Sequence, residues 1–165
     1  MRMWRRYLGA GCRVHGVDVE EACKGYEDAH TKIHIGDQAD RAFWRRFREQ
    51  VLTVHVLIDD GGHRAEQQMV TLEEMPPHLH PGGVYICEDV QGIGNRFATF
   101  AHSCADNLNA FAPVPNQQDL ASRLTPFQAA LCSVHLYPFV VAIEKSGTTF
   151  DQFVCPTRGT EWQPF

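Results

Sequence analysis

No run of apolar residues in this 165-residue chain approaches the roughly 20 that a membrane span needs. The opening Met1-Arg2-Met3-Trp4-Arg5-Arg6-Tyr7 lacks the apolar core of a secretory signal. A soluble, cytoplasmic protein with no membrane partner is the expectation. The chain is also short of positive charge, with 15 Lys and Arg against 20 Asp and Glu, a formal net charge of −5. That balance repels phosphate backbones and argues against a general nucleic-acid binder. None of the six cysteines, at positions 12, 23, 87, 104, 132 and 155, stands in a CxxC spacing, so the usual zinc and redox motifs are missing. Three of them lie in strand-like stretches, and thiols in a reducing compartment are expected.

What the chain does have is an ordinary globular composition, 44% hydrophobic and 21% charged. Its length suits a single domain over residues 1–165 with a sizeable core. The most informative stretch is Val54-His55-Val56-Leu57-Ile58-Asp59-Asp60-Gly61-Gly62-His63. Residues 54–58 are apolar apart from His55, which is the pattern of a strand covered on both faces. Two glycines then let the backbone turn where side chains would clash, so Asp59, Asp60 and His63 can crowd together at the strand's carboxyl end. In open α/β sheets ligands bind at that end. Asp-Asp-Gly-Gly also suits a plain turn before an N-capped helix. Against that simpler reading stands a second apolar strand, Val84-Tyr85-Ile86-Cys87, which ends in Glu88-Asp89. Paired carboxylates brought to one sheet edge by two strands repel unless a cation lies between them, and a hard divalent ion with oxygen ligands is the simplest resolution.

The remaining segments alternate between helix and strand. Met3, Trp4 and Tyr7 fall at helical spacing over 2–8, and Gly9 and Gly11 end that helix. Residues 12–19 read as a strand whose end carries Asp18. From such a position in a nucleotide-binding βαβ unit an acidic side chain accepts hydrogen bonds from ribose hydroxyls, although any strand end can carry a solvated Asp. A short helix over 20–26 and a strand over 31–35 follow, closing on Gly36-Asp37-Gln38. The spacing predicts an amphipathic helix over 40–50, with Phe43, Trp44 and Phe47 inward and a basic face in solvent. A longer helix is expected over 63–80, with Met69, Leu72 and Met75 on the buried side and Pro76-Pro77 ending or kinking it. Pro81-Gly82-Gly83 then reads as a turn. Beyond Gly94 come a helical pattern through Phe97, Phe100, Ala101, Cys104 and Leu108, a loop over 111–116 and a partly helical stretch over 118–131. Strands over 133–137 and 139–144 are joined so tightly that they must run antiparallel, and the tail after Gly147 is irregular. The order predicts an α/β fold whose mostly parallel, Rossmann-like sheet ends in an antiparallel hairpin.

Val17-Asp18, Gly36-Asp37-Gln38, Ile58-Asp59-Asp60-Gly61-Gly62-His63, Pro81-Gly82-Gly83 and Glu88-Asp89, in this order and separation, resemble the mycinamicin-type macrolide O-methyltransferases. Those are class I S-adenosylmethionine-dependent methyltransferases. The resemblance extends over nearly the whole chain, from Met3-Trp4 to Trp162. It implies a methyltransferase sheet, S-adenosylmethionine and Mg2+ as cofactors, and a hydroxyl of a small molecule, of sugar or natural-product type, as acceptor. By this resemblance Asp60, Glu88 and Asp89 hold the magnesium, and His63 is the catalytic general base. Asp18, Asp37 and Gln38 face the ribose and adenine, with Asp59 near the methionine part of the cofactor. The implied chemistry is coherent, because a metal beside a sugar diol lowers the pKa of the bound hydroxyl and a neutral histidine can then take its proton. His63 has a plainer reading as well, a residue at a helix start with no catalytic role.

Members of that family open with a central strand and a Gly-rich loop that approaches the methionine part of the cofactor. Met3-Trp4-Arg5-Arg6-Tyr7 instead resembles the helix that follows this loop. The expectation is therefore an N-terminally incomplete methyltransferase domain, lacking the first strand and the Gly-rich loop and leaving unmatched backbone groups in the middle of its sheet. Such a sheet gives the chain a reason to self-associate into a homo-oligomer. Two other classes stay open from the residues alone. One is a metal-dependent hydrolase that activates water with the same Asp, Glu and His set. The other is a non-catalytic binding module that keeps the sheet but not the cofactor site. Acceptor loops are expected over 92–123, where Phe97 and Phe111 suit a core as well as a pocket.

Overall fold

A computed structural model describes residues 2–110 and 125–148. The chain runs through α1 (Arg2–Leu8), β1 (Val14–Asp18), a 3-10 helix (Glu21–Tyr26), β2 (Thr31–Ile35), α2 (Arg41–Gln50) and β3 (Val54–Asp59). It continues through α3 (Ala65–Glu74), a 3-10 turn (Pro76–His78), β4 (Leu79–Cys87), α4 (Arg96–Asn107), α5 (Pro126–Ala130), β5 (Leu131–Tyr137) and β6 (Val140–Lys145). The expected loop at 111–116, the first half of the helical stretch at 118–131, Cys155 and the tail beyond 148 lie outside the described residues. No helix among those described is long and apolar enough to cross a membrane. Cys12, Cys23, Cys87, Cys104 and Cys132 are free thiols.

The periodicity of α2 decides how the first half packs. Asp40 caps it by accepting from the Ala42 amide at 2.8 Å, and Phe43, Trp44 and Phe47 then fall on one face and join Val51 and Met75 in a buried cluster. Burying each such aromatic contributes roughly 1.5–3 kcal/mol by removing apolar surface from water. Val17 of β1 and Val54 and Leu57 of β3 pack on the same cluster, so α2 lies against strands from both halves of the fold. Its basic side does not simply face water. Arg41 pairs with Glu73 and Glu74, and Arg48 pairs with Glu74 at 2.8 Å, which ties α2 to α3. A second cluster joins Leu72 of α3, Phe97 and Ala101 of α4, and Leu79, Tyr85, Cys87, Leu131, Val141 and Ile143 of the strands.

Pairing is mixed rather than mostly parallel. β1 pairs with β2 in parallel, while β3, β4, β6 and β5 form a separate four-stranded sheet in that order. In it β3 and β4 are parallel, and β6 runs antiparallel to both β4 and β5. Val14 N donates to His30 O, and Gly36 N to Asp18 O, so the even positions of β1 face β2. The alternation of a parallel ladder then leaves the N–H and C=O of His15 and Val17 on the other edge. Glu88 N donates to Asp59 O, which by the same alternation leaves Val56 and Ile58 on the outer edge of β3. Among the described residues no strand pairs with either edge.

Two expectations are corrected between 63 and 83. The helix spans only Ala65–Glu74, because Pro76 and Pro77 have no N–H to continue it and the chain tightens into a 3-10 turn. The strand after it already starts at Leu79 and contains the expected turn as a bulge. Val54 pairs with Leu79 and Val56 with Val84, so His80-Pro81-Gly82-Gly83 is accommodated opposite His55 alone. Gly82 has φ +75°, and a Cβ on Gly83 would meet His80 O at 2.8 Å and His55 O at 3.0 Å. Only glycine fits both requirements.

Candidate functional site

The acidic and amide residues singled out by sequence stand at the carboxyl ends of the four parallel-paired strands, Asp18 ending β1, Asp37 and Gln38 after β2, Asp59 ending β3 with Asp60 next to it, and Glu88 and Asp89 after β4, while His63 lies in the turn between β3 and α3. A hydrogen bond from Gln38 Nε2 to Asp59 Oδ1 at 2.9 Å joins the end of β2 to the end of β3. Both sheets therefore present these ends on one side of the molecule.

Within that edge, Asp60, His63 and Asp89 form the tightest group. One ligand atom from each lies within 4.8 Å of the others, and His63 Nε2 is 3.8 Å from Asp89 Oδ2. Their approach is built on unusual backbone. His63 has φ +54° and Asp89 φ +53°, left-handed conformations that cost a non-glycine residue roughly 1–3 kcal/mol and collect at functional sites. The side chains stay open to solvent, 40% exposed for His63 and 51% for Asp89. Glu88, expected among the metal ligands, is not in this group. Its backbone is fixed instead, with the carbonyl accepting from Gln68 Nε2 at 3.3 Å and the N–H donating to Asp59 O. His63, expected as a base, is inside the group.

Asp59 has a different setting. It is 6% exposed, its Oδ1 accepts from Gln38 and its Oδ2 accepts from Tyr85 Oη at 3.1 Å. Burial first, and the Asp59 charge second, push the Tyr85 hydroxyl well above its ordinary range, so it stays a donor. Gln38 Oε1 in turn accepts from Gly62 N at 2.8 Å, and the Gln38 carbonyl accepts from Trp44 Nε1 at 2.8 Å. This network, running from the buried Tyr85 and Asp59 through half-buried Gln38 to the exposed Gly62, was not visible in the sequence. An isolated Tyr in an apolar strand reads as core, and only the contact with Asp59 reveals the polar tip.

The nucleoside-type positions are more exposed. Asp18 accepts from Glu20 N at 2.9 Å, and that bond, followed by the Cys23 thiol, holds its carboxyl below the usual range. Asp37 accepts from Ala39 N at 2.8 Å. Both carboxyl groups have oxygen lone pairs to spare as acceptors. A recess of about 120 Å³ is lined by Val90, which follows Asp89, and by Ala98, His102, Tyr137 and Phe139. Val90 N donates to Phe139 O at 3.0 Å, fixing this wall to the β5–β6 turn.

No family model matches the chain. Over an alignment of 164 residues it is 36% identical to the 8-demethyl-8-(2-methoxy-alpha-L-rhamnosyl)-tetracenomycin-C 3'-O-methyltransferase of Streptomyces olivaceus, taking in 88% of the chain and 40% of that protein. Over 93 residues it is 35% identical to the 8-demethyl-8-alpha-L-rhamnosyl tetracenomycin-C 2'-O-methyltransferase of the same organism, across 55% of the chain and 24% of that protein. The chain thus spans well under half the length of these relatives. Among solved structures, the MycE methyltransferase from the mycinamycin biosynthetic pathway, in complex with Mg and SAH, superposes with a TM-score of 0.73 at 21% identity. That match covers 88% of the chain and 39% of the other protein, and it shows an α/β methyltransferase fold.

Proposed function

We propose, on the premise that this chain is a relative of the natural-product sugar O-methyltransferases, that it carries the cofactor and metal site of an S-adenosylmethionine- and magnesium-dependent enzyme that methylates a hydroxyl of a glycosylated small molecule. The observation that carries the reading is the convergence of Asp60, His63 and Asp89 on one exposed sheet edge, within 4.8 Å. The two carboxylates so close fit a hard divalent cation, which removes their mutual repulsion, and the imidazole beside them is left free to act as a base. Glu88, one residue before Asp89 but outside the group, would have to turn its side chain toward the cation to serve as a further oxygen ligand. A cation held there supplies the Lewis acidity that lowers the pKa of an acceptor hydroxyl.

The chain's own residues do the rest. Asp18, half-buried, and Asp37, exposed, would accept hydrogen bonds from the ribose and adenine of the cofactor, with Gln38 and Asp59 next to them at the strand ends. His63 takes the hydroxyl proton at a ring nitrogen, and the nearby Asp89 carboxylate stabilises the imidazolium that results. The freed oxygen would then be the nucleophile, its new bond to the methyl carbon forming as the carbon–sulfur bond of S-adenosylmethionine breaks and S-adenosylhomocysteine leaves with the electron pair. The recess beside Val90, where Val90, Ala98 and Phe139 meet the polar groups of His102 and Tyr137, suits an acceptor that carries both sugar and apolar parts.

The deciding experiment supplies S-adenosylmethionine, Mg2+ and a rhamnosyl tetracenomycin or macrolide acceptor, and follows release of S-adenosylhomocysteine. Asp60→Ala is expected to abolish metal dependence. His63→Ala is expected to remove turnover while sparing cofactor binding in a calorimetric titration. Full activity in both variants would overturn the mechanism, and water-dependent cleavage without S-adenosylmethionine would point to a hydrolase instead.

A further inference from the structure

The geometry points to Gln38 as a positioning residue for the turn that carries Asp60 and His63, holding it in the shape that brings both side chains to Asp89. This rests on reading the Asp60, His63 and Asp89 group as a cation site.

That turn has little else to hold it. Among the described residues, the N–H groups of Gly61, Gly62 and His63 make no backbone–backbone hydrogen bond. Two glycines make the segment soft, and His63 at φ +54° is a conformation that persists only where surroundings impose it. Gln38 supplies the restraint from another part of the chain. Its Oε1 accepts from Gly62 N at 2.8 Å, and its Nε2 donates to Asp59 Oδ1 at 2.9 Å and reaches Thr71 Oγ1 at 3.3 Å. One amide therefore grips the residue before the Asp60–His63 turn and a residue inside it. A neutral amide is the chemistry that can do this, because a carboxylate lacks the donor and an ammonium lacks the acceptor.

The amide is itself fixed at its root. Trp44 Nε1, from the buried face of α2, donates to the Gln38 carbonyl at 2.8 Å, and Tyr85 holds Asp59 from the opposite side. Contact with the turn is close enough that a Cβ on Gly61 would lie 2.0 Å from Gln38 Oε1. Gln38 thus acts on the cluster through Gly62 and Asp59, without being one of its three members.

The test uses the full chain with Mn2+ as an electron-spin-resonance probe, alongside amide exchange by NMR. Gln38→Met keeps the length of the side chain and removes both polar atoms. It is expected to weaken Mn2+ binding on the order of tenfold, the usual size of an outer-shell effect, and a change below about threefold overturns the proposal. The Gly62 amide should exchange faster in the same variant. Leu72→Ala, which loosens the core without touching the turn, is expected to lower thermal stability and leave both readouts near the parent values, and equal effects in the two variants would reduce Gln38 to a merely structural role and overturn the proposal. Should the parent take up no Mn2+, the cation reading of the cluster fails, and Gly62 exchange together with the His63 ring shifts decides the turn-holding role, supported if they change in Gln38→Met and overturned if they do not. The unsubstituted chain offers one more arm, independent of any variant. A coupling across the hydrogen bond between Gly62 nitrogen and the Gln38 side-chain carbonyl carbon is expected, and its absence together with a fast-exchanging Gly62 amide overturns the assignment.

Discussion

Asp59 and Asp60 are neighbours in the chain and opposites in surroundings. Asp59 is 6% exposed and accepts from Gln38 and Tyr85, whereas Asp60 lies in solvent within the group it forms with His63 and Asp89. Alternation along a strand sends successive side chains to opposite faces, so a pair of adjacent carboxylates divides naturally into one that builds the turn and one that faces a ligand.

The buried member gives the first prediction. Tyr85→Phe removes a donor from Asp59 while preserving the ring, which is 1% exposed. A buried acceptor left short of a partner costs about 1–3 kcal/mol, and the midpoint of urea denaturation should fall accordingly. An unchanged midpoint would mean that Asp59 finds a substitute donor.

Much of the fold was legible in the residues, but this division was not, and what was missed has physical causes. The β2 strand at Thr31–Ile35 and the α2 helix at Arg41–Gln50 follow from short-range patterning, β-branched residues in the one and Phe43, Trp44 and Phe47 at helical spacing in the other. The four strand ends that carry carboxylates were legible for the same reason. Long-range contacts were not. Nothing local tells that the Gln38 amide reaches Gly62, or that Glu74 meets Arg41 and Arg48 across two helices. The bulge at His80–Gly83 looked like a turn because Pro-Gly-Gly makes turns. Only its partner strand shows that the turn is folded into β4.

The thiols should respond unequally to alkylation. Burial, reinforced by the Asp59 charge, pushes the Cys87 thiol up to about 12, and burial raises Cys104 as well. At pH 8 in the native state, iodoacetamide should modify exposed Cys132 while Cys87 and Cys104 stay largely unreacted, as peptide mass mapping would show. The folded pKa lies above the unfolded one, so the stability linked to the neutral Cys87 thiol is complete below about pH 9 and lost as pH rises toward 12. Fast labelling of Cys87 at pH 8 would contradict its burial.

Acid should act through a histidine pair. His15 Nδ1 and His34 Nε2 lie 3.1 Å apart on neighbouring strands, a contact that needs one unprotonated nitrogen. Desolvation lowers both pKa values, helped by Arg13 for His15 and by His15 and Lys32 for His34. A depressed folded pKa means that the neutral pair is stabilising above the unfolded value near 6.5. That contribution should be lost as pH falls from there through the lower folded values. His34→Gln keeps a hydrogen-bonding side chain without a titrating ring and should flatten the melting temperature between pH 7 and about 5. A slope equal to the parent's would place the acid sensitivity elsewhere.

Glu74 joins two arginines of α2 to α3, and the Arg48 hydrogen bond, then the Arg41 one, hold its carboxyl below the usual range. Glu74→Ala should cost about 0.5–1 kcal/mol at low salt, and the difference should shrink in about 1 M NaCl as the charges are screened. A salt-independent loss would assign the effect to packing.

Gly61→Ala probes the turn from its own side. The left-handed region is not at issue at this position. The obstacle is space, since the new methyl would stand 2.0 Å from Gln38 Oε1, 3.0 Å from its Cδ and 3.5 Å from its Nε2. A free glutamine would swing aside at little cost. This one is held by Asp59, Thr71 and Gly62 together, so moving it breaks the bonds at both ends of the amide and leaves the buried Asp59 with Tyr85 alone. Destabilisation of about 1–3 kcal/mol should follow, together with weaker divalent-cation binding, because the residue displaced is the one that fixes the turn. Combining Gly61→Ala with Gln38→Ala makes the argument quantitative. If the clash with Gln38 is the cause, removing that side chain relieves it, and the double variant should be no worse than Gln38→Ala by itself. Two residues in contact are expected to be non-additive in this sense, whereas simple addition of the two losses would show that Gly61 is needed for the backbone and not for its neighbour.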